Sequence, residues 1–113
     1  MSIRALFDLE GRTALVTGGS KGLGEAMAEA LAGAGAAVAI TSRHLDECRQ
    51  AAASIQERTG SRVFAVQADA SDRADVESSV ESARTELGPI DILVNNAGIN
   101  IRRAFAEITD DEW

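Results

Sequence analysis

The stretch Thr17-Gly18-Gly19-Ser20-Lys21-Gly22-Leu23-Gly24 sets four glycines and a lysine between a short apolar run, Thr13 to Thr17, and a segment with helical periodicity. Such a junction suits the binding of a diphosphate. The first turn of a helix carries backbone N–H groups without intrahelical partners, together with the positive end of the helix dipole, and an anion settles there when no β-carbon holds it away. Gly18 can make the tight exit from the strand, Gly22 can let backbone approach the phosphates, and Gly24 can let the helix sit close to the sheet. Glycines that served only a strand-to-helix turn would number one or two. The spacing is not G-x-G-x-x-G, because Ser20 is not glycine and Met27 takes the third place in a frame begun at Gly22. Nor is it a P-loop, because Lys21 is followed by glycine rather than serine or threonine.

Other reactive side chains assemble no second chemistry. His44 is the single histidine and falls at the start of a helix, where it reads as solvated. Cys48 is the single cysteine, which excludes an internal disulfide and a cysteine-based metal cluster, and it reads as a small apolar residue on a helix face. Asp110, Asp111 and Glu112 are neighbours that point different ways with no histidine beside them, so they read as helix-cap charges and no metal site is expected.

The elements that position the glycine loop follow from periodicity. Thr13 to Thr17 predicts a strand, and Leu23, Met27, Ala30, Leu31 and Ala34 trace a helix face up to a stop at Gly35. Ala37 to Ile40 is continuously apolar, as a parallel strand covered on both sides should be, and Leu45, Cys48, Ala52 and Ile55 stripe a second helix ending at Thr59-Gly60. Arg62 to Gln67 predicts a third strand. Val76, Val80, Ala83 and Leu87 stripe a third helix, capped by Ser71 or Asp72, with Asp75 and Glu77 near its positive end and Gly88-Pro89 stopping it. Ile90 to Asn95 predicts a fourth strand. Strands and helices alternating at this length imply right-handed βαβ crossovers and an open parallel sheet with helices on both faces.

Composition bounds the rest. The 113 residues are 45% hydrophobic and 26% charged, with one proline, which fits one globular domain. A net charge of −7 without a basic block argues against nucleic acid and anionic membrane as partners. The N-terminus lacks the apolar core of a secretory signal, and Leu31 to Ile40 is too short to span a bilayer, so a cytoplasmic protein is expected.

With these residues in place, the chain resembles the short-chain dehydrogenase/reductase family. Thr17 to Gly24 is similar to its glycine motif, Asp69 after the third strand to its adenine-binding aspartate, and Asn95-Asn96-Ala97-Gly98 after the fourth strand to its N-N-A-G motif. The resemblance covers nearly the whole chain and implies an α/β fold. That fold is a Rossmann-type doubly wound parallel sheet in the order 3-2-1-4, closing after its fourth strand. It also implies cofactor contacts from Gly18, Ser20, Lys21, Gly22, Leu23 and Gly24, an adenine held by Asp69 and Ala70, and Asn96, Ala97 and Gly98 along the ribose. Asn95 would tie strands together. By itself, N-N-A-G could also be a polar turn ending a strand.

At the end of the second strand, NAD sites of this architecture place an acid for the ribose 2′-hydroxyl, whereas an arginine there suits the 2′-phosphate of NADP. The chain has Thr41-Ser42-Arg43 and no acid before Asp46. Ser42, Arg43 and Lys21 therefore point to NADP(H) in preference to NAD, the alternative being that both cations are ordinary solvated side chains.

The family's catalytic tyrosine, lysine, serine and helix-borne asparagine find no counterpart; the tyrosine count is zero. Thr109-Asp110-Asp111-Glu112 has capping-box spacing one residue before the chain closes at Trp113, although a four-residue match also arises by chance. The expectation is the cofactor-binding half of an oxidoreductase interconverting an alcohol and a carbonyl, without turnover of its own, from a parent that forms homo-oligomers. A non-catalytic nucleotide-binding module pairing with a second polypeptide through an open fourth strand is the alternative. Gly98 to Phe105 is similar to a loop of gluconate 5-dehydrogenase-like members, in which Arg102 or Arg103 would meet a sugar-acid carboxylate. A 3-oxoacyl carrier-protein reductase is the competing substrate class.

Overall fold

The computed structural model describes residues 2–96, apart from the side chain of Arg4. A four-residue helix α1 (Ile3–Leu6), in a segment without periodicity, is followed by β1 (Thr13–Thr17), α2 (Gly22–Gly33), β2 (Ala37–Ser42), α3 (Leu45–Thr59), β3 (Val63–Gln67), α4 (Arg73–Leu87) and β4 (Ile92–Asn95). The four strands are parallel in the order β3-β2-β1-β4. This is the Rossmann-type sheet expected from the alternation of strands and helices.

Strand alternation sends successive side chains to opposite faces. On one face Val16, Val38 and Ile40 pack with Ala28 and Ala32 of α2 and with Cys48, Ala52 and Ile55 of α3. On the other, Leu15 and Ala39 meet Ala83, with Phe64, Val80, Leu87 and Ile90 half-buried around them. The Cys48 thiol is fully buried and donates to the carbonyl of Ile40 at 3.3 Å, and its burial raises its pKa. It is a core residue.

Element ends follow local chemistry. Asp72 caps α4, its carboxylate accepting from the amides of Ala74 at 2.9 Å and Asp75 at 3.3 Å, so Asp72 rather than Ser71 fills that place. At the other end of α3, Gly60 adopts a φ of 74° and donates to the carbonyl of Gln56.

Two expectations are corrected. The fourth strand begins at Ile92 rather than Ile90, because the amide of Asp91 bonds the carbonyl of Thr13 and its carboxylate accepts from the Thr13 amide, turning the chain into the sheet there. The buried stripe of α2 is Gly24, Ala28 and Ala32, one residue on from the predicted Leu23, Met27, Ala30, Leu31 and Ala34. Leu23 is 70% exposed. The reason is distance: small side chains let α2 approach the sheet more closely than a leucine stripe would allow, and the larger residues flank the contact.

Candidate functional site

Each strand of a parallel βα unit delivers its helix N-terminus to the same edge of the sheet, so β1–α2, β2–α3 and β3–α4 open side by side. The glycine loop is the first of these junctions. Gly18 leaves β1 with a φ of 66° and Gly22 enters α2 with a φ of 56°, both left-handed conformations that L side chains rarely adopt. A β-carbon on Gly22 would meet no atom of the described residues within 4 Å. A β-carbon on Gly24 would collide with the carbonyl of Gly18 and lie 2.5 Å from the Asn96 side-chain nitrogen.

Gly19 carries a role that spacing did not reveal. Its β-carbon would lie 2.7 Å from two carbons of Ile40, and its amide donates to the carbonyl of Thr41 at 3.1 Å, tying the loop to β2. The Gly-Gly doublet was the available signal, since one of its two glycines had no assigned task.

The helix mouth itself is unsatisfied. Lys21 is the N-cap in an extended conformation, with no side-chain hydrogen bond to the first turn. The amide of Glu25 bonds back to the carbonyl of Lys21, whereas the amides of Gly22, Leu23 and Gly24 find no acceptor among the described residues. Three N–H groups without an acceptor among the described residues and the positive end of the dipole thus gather at the start of α2. Ser20 is half-buried in the turn, and Leu23 stands exposed beside the mouth, where it can touch a ligand rather than the core.

The cations read for this site stand at its rim. The Lys21 ammonium pairs with the Glu47 carboxylate at 3.2 Å, both side chains well exposed. At the end of β2, Ser42 accepts from the amide of His44 through its hydroxyl, and the carbonyl of Arg43 accepts from the side chain of Gln67. His44 is the exposed N-cap of α3. The Asp69 carboxylate accepts from the Ser71 hydroxyl at 2.6 Å and the Ser71 amide at 2.9 Å. Those two bonds hold its pKa below the ordinary value, with the Arg43 charge as a smaller contribution in the same direction. The amide of Asp69 is fixed by the Asp75 carboxylate at 3.1 Å, and Ala70 follows it exposed. A cleft of about 130 Å³ lies beside this turn, lined by Thr17, Thr41, Ala70, Leu93 and Asn95 among others.

Thr17 is the second residue that spacing did not reveal. Its hydroxyl lies 3.3 Å from the side-chain oxygen of Asn95 and 3.4 Å from the carbonyl of Val94, and it accepts from the amide of Asn96 at 3.0 Å. Asn95 thus meets β1 across the sheet. The Asn96 side chain donates to the carbonyl of Gly18 at 3.3 Å, so it braces the glycine loop from below. Ala97, Gly98, Arg102, Arg103 and the segment from Thr109 to Glu112 lie outside the described residues. Among the described residues no group of three metal-ligating side chains comes together, and no helix is long and apolar enough to cross a membrane.

The short chain dehydrogenase family matches residues 12–113. The chain is 40% identical over 106 residues to the 3-oxoacyl-[acyl-carrier-protein] reductase FabG of Escherichia coli, covering 94% of this chain and 42% of that protein. It is 41% identical to the NADP-dependent (R)-specific alcohol dehydrogenase of Lentilactobacillus kefiri, covering 93% and 41%. Among solved structures, L-sorbose reductase from Gluconobacter frateurii complexed with NADPH and L-sorbose superposes with a TM-score of 0.83 at 38% identity, covering 95% of this chain and 41% of that one. The chain thus spans about two fifths of the length of these relatives.

Proposed function

The chain belongs to the short-chain dehydrogenase family, and on that premise we propose that it holds NADP(H) along the edge where its helix mouths open, within a cytoplasmic, homo-oligomeric oxidoreductase that interconverts an alcohol and a carbonyl. The observation that carries this reading is the set of amides at Gly22, Leu23 and Gly24 that find no acceptor among the described residues, with Lys21 as the N-cap beside them and Arg43 at the end of β2. A diphosphate would fit there because position 22 presents no β-carbon to it, while Gly24 lets α2 lie close under the Gly18 carbonyl. The adenine would lie toward Asp69 and Ala70, where Ser71 and Asp75 hold the turn in place. Ser42 and Arg43 would face the 2′-phosphate, and Ala97 and Gly98 would continue the ribose contacts of Asn96.

Bound nicotinamide supplies hydride transfer. The residues of this chain supply placement: amides and dipole for the diphosphate, cations for the 2′-phosphate, and the Asn96 brace that keeps the loop open. The 113 residues contain no tyrosine, so they bring no phenol to exchange the substrate proton, and we expect binding without turnover from them. For the substrate, a sugar acid held through its carboxylate by Arg102 or Arg103 is the specific candidate; NADP-linked relatives of the alcohol dehydrogenase and sugar reductase kinds support the broader alcohol–carbonyl class.

Titration calorimetry with NADP⁺ and NAD⁺ tests the reading. A charge-assisted bond contributes about 1.5–3 kcal/mol when shielded and less at an exposed rim. NADP⁺ is therefore expected to bind at least about tenfold more tightly, with Arg43→Ala erasing most of the difference. Equal affinity for the two nucleotides contradicts the assignment.

A further inference from the structure

The ion pair between Lys21 and Glu47 joins two neighbouring helix mouths: Lys21 caps α2, and Glu47 sits in the first turn of α3, four residues after Arg43. Asp46 and Glu47 are both acidic residues in that turn, where the α3 dipole favours negative charge, so Glu47 is held at the rim by its own helix as well as by Lys21. On the NADP reading the 2′-phosphate is shared by Lys21 and Arg43, so it and Glu47 would both draw on the Lys21 ammonium. We propose that Glu47 sets the strength of cofactor discrimination by competing with the 2′-phosphate for the Lys21 ammonium; this rests on the NADP reading above.

The physical argument is one of charge. In the free protein the Lys21 ammonium lies 3.2 Å from a carboxylate with both side chains well exposed, so an approaching anion meets a charge that is partly offset. A phosphate that draws Lys21 toward itself must loosen this pair and remain near the freed carboxylate. An exposed pair of this kind alters affinity by about two- to fivefold, and added salt shrinks the effect. NAD carries no 2′-phosphate and has no need of Lys21, so Glu47 acts on the ratio of the two affinities rather than on dinucleotide binding as a whole. It acts against the preference that Arg43 and Lys21 create.

The test is titration of NADP⁺ and NAD⁺ into the full chain and into its Glu47→Gln, Glu47→Lys and Lys21→Met variants, with folding checked by circular dichroism. Glu47→Gln is expected to tighten NADP⁺ about two- to fivefold, with NAD⁺ unchanged. Glu47→Lys is expected to tighten it further, and the Glu47→Gln gain is expected to vanish in the Lys21→Met background and to shrink in 0.5 M salt. Unchanged or weaker NADP⁺ binding in Glu47→Gln, or an equal gain for NAD⁺, overturns the proposal while leaving the cofactor reading standing. An unmodified chain that binds NAD⁺ as well as NADP⁺, or neither, overturns the cofactor reading itself.

Discussion

One face of the sheet meets two helices, α2 and α3, and closes over a continuous cluster from Ala14 and Val16 through Ile40 to Cys48 and Ile55, all nearly or wholly removed from water. The opposite face meets α4 among the described residues, and there only Leu15, Ala39 and Ala83 are fully buried; Leu93 of β4 stands 63% exposed. The two mouths that carry the glycine loop and the Lys21–Glu47 pair both belong to the denser face. A loop that is to bind a ligand needs a scaffold that does not yield, and the glycine loop rests on the half of the molecule with the more complete packing among the described residues. The Arg58 side chain adds to this, reaching from α3 to Glu29 of α2 at 2.5 Å and to Glu25 at 3.8 Å.

This contrast breaks most directly in the core. Ile55→Ala on α3 removes a wholly buried side chain and is expected to cost about 3 kcal/mol in urea unfolding, whereas Val80→Ala on α4, half-buried, is expected to cost about 1 kcal/mol. A Val80→Ala loss as large as that of Ile55→Ala would contradict the denser packing of the face that α2 and α3 cover. Gly24→Ala probes the link between packing and site, since its β-carbon runs into the Gly18 carbonyl and the Asn96 side chain. A loss of about 2 kcal/mol together with weakened nucleotide binding is expected; full stability with full binding would show that the close approach of α2 is dispensable.

The smallest effect is at the β3–α4 turn. The Asp69 carboxylate is depressed below its ordinary 3.8 by the Ser71 hydroxyl first and the Ser71 amide second. A group depressed on folding contributes stability above its unfolded pKa and loses it as pH falls through the folded value, so this contribution disappears only below about pH 4. Ser71→Ala is expected to move the Asp69 titration, followed by NMR of its side-chain carbon, upward toward 3.8. An unmoved titration would put the cause elsewhere.

How much was legible in the residues varies by kind of information. Order and direction of elements came from alternation and periodicity: β1 has the predicted bounds, α3 buries Cys48, Ala52 and Ile55 of its stripe, and α4 buries Ala83 of its own. The left-handed turns at Gly18 and Gly22 follow from the absence of a side chain, a local property. The contact face of α2 is Gly24, Ala28 and Ala32 and not the stripe of Leu23, Met27, Ala30, Leu31 and Ala34, because the close approach of the helix selects the smallest side chains. Hydrophobicity marks what prefers to leave water; it does not say how near two backbones must come.

Sequence alone thus determined the βα alternation and the presence of Lys21 and Arg43 after the first two strands, because each depends on neighbours within a few positions. Only the tertiary structure decided that Gly19 must clear Ile40, that Asn96 braces Gly18, and that Lys21 faces Glu47. Those pairs lie 21, 78 and 26 positions apart in the chain, and what brings them together is the parallel register of β1 with β2 and β4 and the side-by-side arrangement of helix mouths that it imposes. No local preference encodes a separation of that kind.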